Sequence, residues 1–334
     1  MKKVAINGLG RIGRLILRNF IEAPPDNIDI VAANDLTPMD DLAYLMRYDS
    51  VHGRASFEVK YEEGYLDLGG RRIAVTHEKE PARLPWKTLG VDIVLECTGA
   101  FRGRSDAGKH LDAGASRVII SAPSDDVDAT FVMGVNEETY NPQKHHVISN
   151  ASCTTNSLAP AIKVLNDTFG VQYAMVTTIH AYTSSQSLVD KAARKMRRGR
   201  AAGISFIPTS TGAAGATALV IPELSGKMDA IAVRAPVPDG SLTDIVAHLK
   251  TDVTVGSVNK AFKDAAEGVY KGILAYSEDE LVSADIIGCP HSGVIDAVST
   301  MVIVNRVVKV FVWYDNEYGY SHRMLDLAQY ISKK

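Results

Sequence analysis

Long apolar runs are missing from this 334-residue chain, and none approaches the ~18 residues a membrane-spanning helix needs. Cysteine is scarce: Cys97, Cys153 and Cys289 stand far apart, which excludes a disulfide framework and any paired metal-ligand spacing. A reducing, cytoplasmic compartment follows as the simplest expectation. Charge is balanced at 36 basic against 39 acidic residues, a net −3 that argues against a dedicated nucleic-acid binder. Asp190, His110, His145, His146, His248 and His291 form no metal-like grouping and read as structural or surface residues, so no metal is expected. No short-period repeat or low-complexity tract is visible, and the N-terminus runs straight into a strand pattern with no leader-like segment. What remains is ordinary globular composition, 46% hydrophobic, at a length that suggests two domains.

The N-terminal pattern is a strand, a glycine turn and a helix. Lys3 to Asn7 is apolar and short, Gly8-Leu9-Gly10-Arg11-Ile12-Gly13 follows at once, and Ile12, Leu15, Ile16 and Phe20 then recur at helical spacing. In that context Gly8 permits the tight turn, Gly10 lets backbone approach a pyrophosphate, and Gly13 lets helix pack on strand. A second strand, 28–33, ends in Asn34-Asp35, and Asp35 stands where a ribose-binding carboxylate is expected. A carboxylate there accepts hydrogen bonds from ribose hydroxyls and repels a 2′-phosphate, so NAD is the expected cofactor. Further buried-strand patterns at 92–99, 117–121 and 146–150, with a helix over 107–113, predict an α/β fold with a doubly wound parallel sheet of Rossmann type. Thr98, Gly99 and Ser121 fall at strand carboxyl ends, where ligands bind in such sheets. Cys97, inside a strand, reads as core.

Cys153 is the candidate nucleophile. It lies in Ser149-Asn150-Ala151-Ser152-Cys153-Thr154-Thr155-Asn156, just before an amphipathic run carrying Leu158, Ile162, Leu165 and Phe169. The spacing predicts a helix from about Thr154, bent at Pro160. A thiol at a helix N-terminus feels unpaired N–H groups and the positive end of the dipole, which favour the thiolate. Strand-like Val176 to Thr183 delivers His180, a candidate base. Cys289, before Pro290, lacks polar flanks and reads as core or loop.

Taken in order, Ile6 to Arg14, Ser152 to Asn156, His180 to Thr183, Pro208 to Ala214 and Trp313 to Tyr320 resemble phosphorylating glyceraldehyde-3-phosphate dehydrogenase over essentially the whole chain. The resemblance implies an NAD-binding domain of residues 1–151 completed by a returning helix, 317–334. It also implies a catalytic α+β domain, 152–316, on a largely antiparallel sheet, and a homotetramer. It implies Cys153 as nucleophile and His180 as its ion-pair partner and acid/base. Thr183 and Arg234 would hold the substrate phosphate; Ser152, Thr154, Thr211 and Gly212 would hold incoming inorganic phosphate. Gly8, Gly10, Arg11, Ile12, Gly13, Asp35, Lys79, Ser121, Asn316 and Tyr320 would contact the cofactor, with Lys79 standing where the family often has Arg.

Six basic residues crowd positions 191–200: Lys191, Arg194, Lys195, Arg197, Arg198 and Arg200. By resemblance this is a subunit-facing loop near a neighbour's cofactor. Lys191-Ala192 replaces the Leu-Pro of strictly NAD-specific relatives, so measurable though weaker use of NADP is expected. Pro290-His291-Ser292 and Leu84-Pro85-Trp86 resemble the sister erythrose-4-phosphate dehydrogenases, which makes that activity the rival reading. A binding protein for RNA or a partner on the same fold is the alternative of another class.

Overall fold

The computed structural model describes residues 1–334. Two compact units divide the chain, one of residues 1–151 with 321–334 and the other of residues 152–320.

In the first unit β1 (Lys2–Asn7) runs into α1 (Arg11–Glu22) and β2 (Ile28–Asn34). After α2 (Met39–Arg47), a short hairpin pairs β3 (Tyr48–Asp49) with β4 (Gly53–Arg54). Then come β5 (Val59–Glu62), β6 (Tyr65–Leu68), β7 (Arg71–Thr76), α3 (Trp86–Leu89), β8 (Ile93–Glu96) and α4 (Arg104–Asp112). Three more strands, β9 (Arg117–Ile120), β10 (Ala129–Thr130) and β11 (Val147–Ser149), complete its sheet. The order is β10-β11-β9-β8-β1-β2-β7-β6-β5, parallel from β10 to β7 and antiparallel at the β7–β6 and β6–β5 pairs. The central parallel strands β1, β8, β9 and β11 carry continuous buried runs, as strands covered on both faces require. The sheet grows outward on either side of β1, so the crevice at the carboxyl ends of β1, β2 and β8 is the topological switch point.

The second unit begins with α5 (Cys153–Phe169), then β12 (Val171–Ala181), β13 (Ile207–Ser210), α6 (Ala213–Val220), β14 (Met228–Ala235) and β15 (Ser241–Leu249). It continues through α7 (Val255–Glu267), β16 (Leu274–Ser277), β17 (Gly293–Ile303) and β18 (Val307–Tyr314). Its sheet, β13-β14-β12-β15-β18-β17-β16, is mixed and mostly antiparallel, with parallel pairs only at β12–β14 and β16–β17. Helix α5 packs against β15, β18 and β17 through Leu158, Ile162 and Leu165, all buried. It runs unbroken through Pro160, whose predicted kink does not interrupt the helix.

Helix α8 (Tyr318–Ser332) begins in the second unit and ends in the first. Asp315 fixes its start, accepting from the Glu317 and Tyr318 backbone N–H groups at 2.8 and 2.6 Å. Asn27 fixes its end, donating to the Gln329 carbonyl at 2.8 Å and to Ser332 Oγ.

Candidate active site

Ser152 is the N-cap of α5. Its hydroxyl accepts from the Thr155 N–H at 3.0 Å, so the helix starts one residue earlier than the spacing predicts, at Cys153 itself. That places the sulfur in the first helical turn. His180 comes from β12 on the same unit, and its Nε2 lies 3.4 Å from Cys153 Sγ. Strand pairing sets Arg234 of β14 directly beside His180, and the guanidinium Nη1 reaches both His180 Nδ1 at 2.7 Å and the Ala181 carbonyl at 2.9 Å. Tyr314, at the end of β18, closes the floor. Its hydroxyl bonds to Thr154 Oγ1 at 2.9 Å and Thr178 Oγ1 at 2.8 Å, and its ring meets the imidazole edge-on at 5.9 Å.

The electrostatics correct one sequence expectation. Burial pushes the Cys153 thiol up to about 11, although Arg234 and the hydrogen bonds of Thr154 pull the other way. Burial, then the neighbouring Arg234 charge, pushes the His180 imidazole down to about 3, against the Ala181 backbone hydrogen bond. A helix N-terminus alone therefore does not ionise this sulfur, because enclosure outweighs it. A thiolate facing an imidazolium at this separation recovers roughly 5 kcal/mol at an effective dielectric of about 20.

A second cluster frames this one. Thr183 Oγ1 bonds to Ser185 Oγ at 2.8 Å, and Arg198 reaches Ser185 Oγ at 3.4 Å and Thr209 Oγ1 at 3.0 Å. Thr211 and Gly212 open α6, which packs on α5, and Thr211 Oγ1 accepts from the Ala213 N–H at 3.2 Å. Two helix N-termini, several hydroxyls and two guanidinium groups make this unit rich in anion donors. The Ala181 N–H donates to Ser241 Oγ at 3.0 Å, and Ser241 donates to Asn316 Oδ1. The Asn316 carbonyl is thereby fixed and its orientation set.

In the first unit Gly8 has φ +97°, and a Cβ on Gly13 would lie 2.0 Å from the Gly8 carbonyl oxygen. A Cβ on Gly10 would meet nothing within 4 Å. Gly13 is therefore required by the protein's own packing, whereas Gly10 leaves an open backbone surface at the uncapped start of α1. That cradle suits a pyrophosphate. Asp35 is held at the end of β2: Oδ2 accepts from the Leu9 N–H at 2.6 Å and Oδ1 from the Thr37 N–H at 2.9 Å. Each oxygen retains a lone pair for a ribose hydroxyl.

Comparison with known proteins agrees with both units. Residues 2–104 match the glyceraldehyde 3-phosphate dehydrogenase NAD binding domain, and residues 152–316 match the C-terminal domain of the same family. The glyceraldehyde-3-phosphate dehydrogenase of Geobacillus stearothermophilus is 55% identical over 332 residues, 99% of this chain and 98% of the relative. The enzyme of Priestia megaterium and the first of two such enzymes in Bacillus subtilis are each 54% identical over the same shares. The chain belongs to the glyceraldehyde-3-phosphate dehydrogenase family. Its first unit is an NAD-binding, Rossmann-like domain, and its second is the family's C-terminal domain.

Within that family frame the structure brings Cys153, His180, Arg234 and Thr154 together, with Ser152 beside them as the helix cap. Several side chains are engaged differently from the sequence expectation. Thr154 gives its hydroxyl to buried Tyr314, and Ser152 spends its own on the helix cap, so backbone N–H groups are what this turn offers an anion. Arg11 pairs with Asp49. Ser121 faces the Cys97 thiol, one residue beyond β8, where burial raises the thiol pKa. Lys79 is exposed on the loop after β7, and Tyr320 is buried in α8.

Sequence reasoning missed Tyr314, Ser241 and Asp239. Tyr314 lies inside the Trp313–Tyr320 stretch that carries the resemblance but drew no role of its own, and Ser241 and Asp239 drew none. Asp239 is pushed up to about 9 by burial and by neighbouring Asp315. His110, expected to be structural or superficial, is fully buried. It accepts from Trp86 Nε1 at 3.0 Å and faces Glu96 at 3.1 Å, so Trp86 of the Leu84-Pro85-Trp86 segment belongs to a buried core network. Cys289 lies on a loop with Sγ 3.7 Å from His291 Nδ1.

Proposed function

We propose that Cys153 and His180 carry the phosphorylating oxidation of glyceraldehyde 3-phosphate, for which the chain is an NAD-dependent oxidoreductase. The 3.4 Å approach of Sγ to Nε2, at the start of α5, is the observation that supports this assignment most. Sγ attacks the aldehyde carbon, giving a thiohemiacetal, and His180 manages the proton of the new hydroxyl. NAD supplies the hydride acceptor that turns this carbon into a thioester. Inorganic phosphate then attacks the thioester carbonyl, the Cys153 thiolate leaves, and 1,3-bisphosphoglycerate departs.

Two phosphate sites are needed. Arg234 and Thr183 suit the substrate phosphate. The N–H groups at Ser152 and Thr154, with Thr211 and Gly212, suit the incoming phosphate. For the cofactor, Gly8, Gly10, Arg11, Ile12 and Gly13 suit the pyrophosphate turn, Asp35 suits the ribose, Lys79 suits an adenine-side contact, and Ser121 is a further cofactor contact. Asn316, fixed by Ser241, has an amide suited to the nicotinamide carboxamide, with Tyr320 near it in sequence.

The functional unit is a homotetramer in the cytoplasm. Tyr173 and Met175 on β12, Ile231 on β14, and Met301 and Ile303 on β17 leave an apolar sheet face exposed, which supports self-association. No helix is long and apolar enough to cross a membrane.

Initial rates with glyceraldehyde 3-phosphate and erythrose 4-phosphate, each with NAD and NADP and with or without phosphate, test the reading. Phosphate-dependent reduction of NAD with the triose substrate is expected. Faster, phosphate-independent oxidation of the tetrose would replace this function with the rival one.

A further inference from the structure

In the first unit a hydrogen-bond chain runs along the carboxyl ends of β7, β2, β1 and β8 and takes no part in the steps above. Its directions are forced from the ends inward. The Glu78 N–H can only donate and the Glu78 carbonyl can only accept, so Asn34 turns Oδ1 to the first and Nδ2 to the second, each at 2.9 Å. Asn34 Oδ1 also accepts from Thr76 Oγ1 at 2.9 Å. Asn34 Nδ2 donates to Asn7 Oδ1 at 2.8 Å, which aims Asn7 Nδ2 at Glu96 Oε2, 2.6 Å away. At the other end the Trp86 indole can only donate, so His110 Nδ1 accepts from it at 3.0 Å and His110 Nε2 carries the ring proton. Nε2 donates to Glu96 Oε2 at 3.1 Å, and its 3.4 Å approach to Asn7 Nδ2 is that of two donors converging on one oxygen. Glu96 Oε1 accepts from the Thr98 N–H at 2.8 Å and from the Thr98 hydroxyl, whose oxygen accepts from the Ala100 N–H at 3.0 Å.

Every donor in the chain is thus directed toward Glu96. Asn7, Asn34, Glu96 and His110 are buried, whereas Thr98, Gly99 and Ala100 are exposed. A carboxylate removed from water is tolerated only where donors replace its lost hydration, and here they come from segments that strand pairing alone does not join. Two of those segments lie on opposite sides of β1: the loop after β7, which carries Glu78 and Lys79, and the turn after β8, which carries Thr98. We infer that Glu96, Asn7 and Asn34 are positioning residues that tie these two walls together, so that the adenosine half of the cofactor meets a crevice set as one unit. This rests on the reading that the dinucleotide lies over these strand ends, with Asp35 on the ribose and Lys79 on the adenine side. None of the three side chains has to touch the cofactor. Thr98 passes the hold to the exposed turn, because its N–H and hydroxyl face inward to Glu96 while the turn itself faces solvent.

The test is a double-mutant cycle on the full chain, read by calorimetry with ADP-ribose, which carries the adenosine, pyrophosphate and second ribose but no nicotinamide. Asn34→Ala releases the loop end of the chain and Thr98→Val the turn end. Each is expected to weaken ADP-ribose binding by about tenfold and to raise the KM for NAD in step, with the KM for glyceraldehyde 3-phosphate unchanged. The double variant is expected to bind little worse than the weaker single variant, because both act through one scaffold, whereas independent walls would give about a hundredfold loss. Thr98→Ser keeps the hydroxyl and is expected to bind as the wild type does. Losses that multiply in the double variant, or single variants that bind normally, overturn the inference while leaving the cofactor site in place. Wild-type protein that fails to bind ADP-ribose removes that site as well. A second measurement needs no variant to fold: residue-level hydrogen exchange of the wild type. The Glu78 and Thr98 amides, both donated into the chain, are expected to exchange at rates within about tenfold of each other and to be slowed together by ADP-ribose. Exchange that slows at one amide and not at the other would show two separate walls and overturn the inference.

Discussion

His180 is buried, and that burial has consequences for stability as well as for catalysis. Its pKa is pushed from the ordinary 6.5 down to about 3, so between those values the unfolded chain binds a proton that the native state does not. Its stabilising contribution is complete above pH 6.5 and is eroded as pH falls toward 3. His180→Asn should therefore lose less stability than the wild type between pH 7 and pH 5, as read by urea unfolding at the two pH values. The same variant should lower kcat by about 10²–10⁴-fold, the usual share of a general acid–base. Cys153→Ser should lower it by at least about 10³-fold with an unchanged circular dichroism spectrum, because a hydroxyl is a much weaker nucleophile at neutral pH. The identity of these two residues was legible in the sequence from their polar surroundings and from the family resemblance. Their protonation was not. Helix-terminus reasoning suggested a thiolate, and only the three-dimensional enclosure shows burial opposing it.

At the scale of the element, the glycine turn after β1 separates two roles that the motif alone blends. Gly13→Ala would drive a Cβ to within 2.0 Å of the Gly8 carbonyl and should destabilise the first unit, whereas Gly10→Ala meets no protein atom. Gly10→Ala is thus expected to keep its thermal midpoint and to weaken NAD binding, measured by calorimetry. The strand–helix order of this unit was legible because parallel strands leave continuous apolar runs and the glycines punctuate them. The buried network was not. Asn7, Glu96, His110 and Trp86 are far apart in sequence, yet Asn7 donates to Glu96 at 2.6 Å and Trp86 to His110 at 3.0 Å. Such pairings follow from sheet order, which no local periodicity encodes. His110→Leu should cost roughly 2–4 kcal/mol in urea unfolding, because Trp86 Nε1 and the Glu96 carboxylate would each lose a buried partner. In the second unit, local patterning predicts the strand that carries His180 but not its parallel partner β14, and hence not Arg234 beside it.

At the scale of the whole molecule, the second sheet leaves apolar side chains exposed on one face, which supports the proposed self-association. Met175 and Ile231 are 64% and 48% exposed on neighbouring strands, a poor arrangement for a free surface. Light scattering is expected to give a tetramer for the wild type and smaller species for Met175→Asp combined with Ile231→Asp. The basic loop was legible as a run of charge, but not its internal ties: Arg200 pairs with Asp190, and Lys195 and Arg198 reach Ser210 and Thr209. Exposed Lys191 remains available, so NADP turnover weaker than NAD turnover is expected, with Lys191→Ala lowering it further. The central claim, that one sulfur carries the acyl group, is tested most directly by mass spectrometry of enzyme mixed with glyceraldehyde 3-phosphate and NAD without phosphate. The account predicts a phosphoglyceroyl thioester on the peptide containing Cys153, none on Cys97 or Cys289, and its disappearance on adding phosphate. NADH formed in one turnover with Cys153 unmodified, or with the acyl group on another residue, would contradict it.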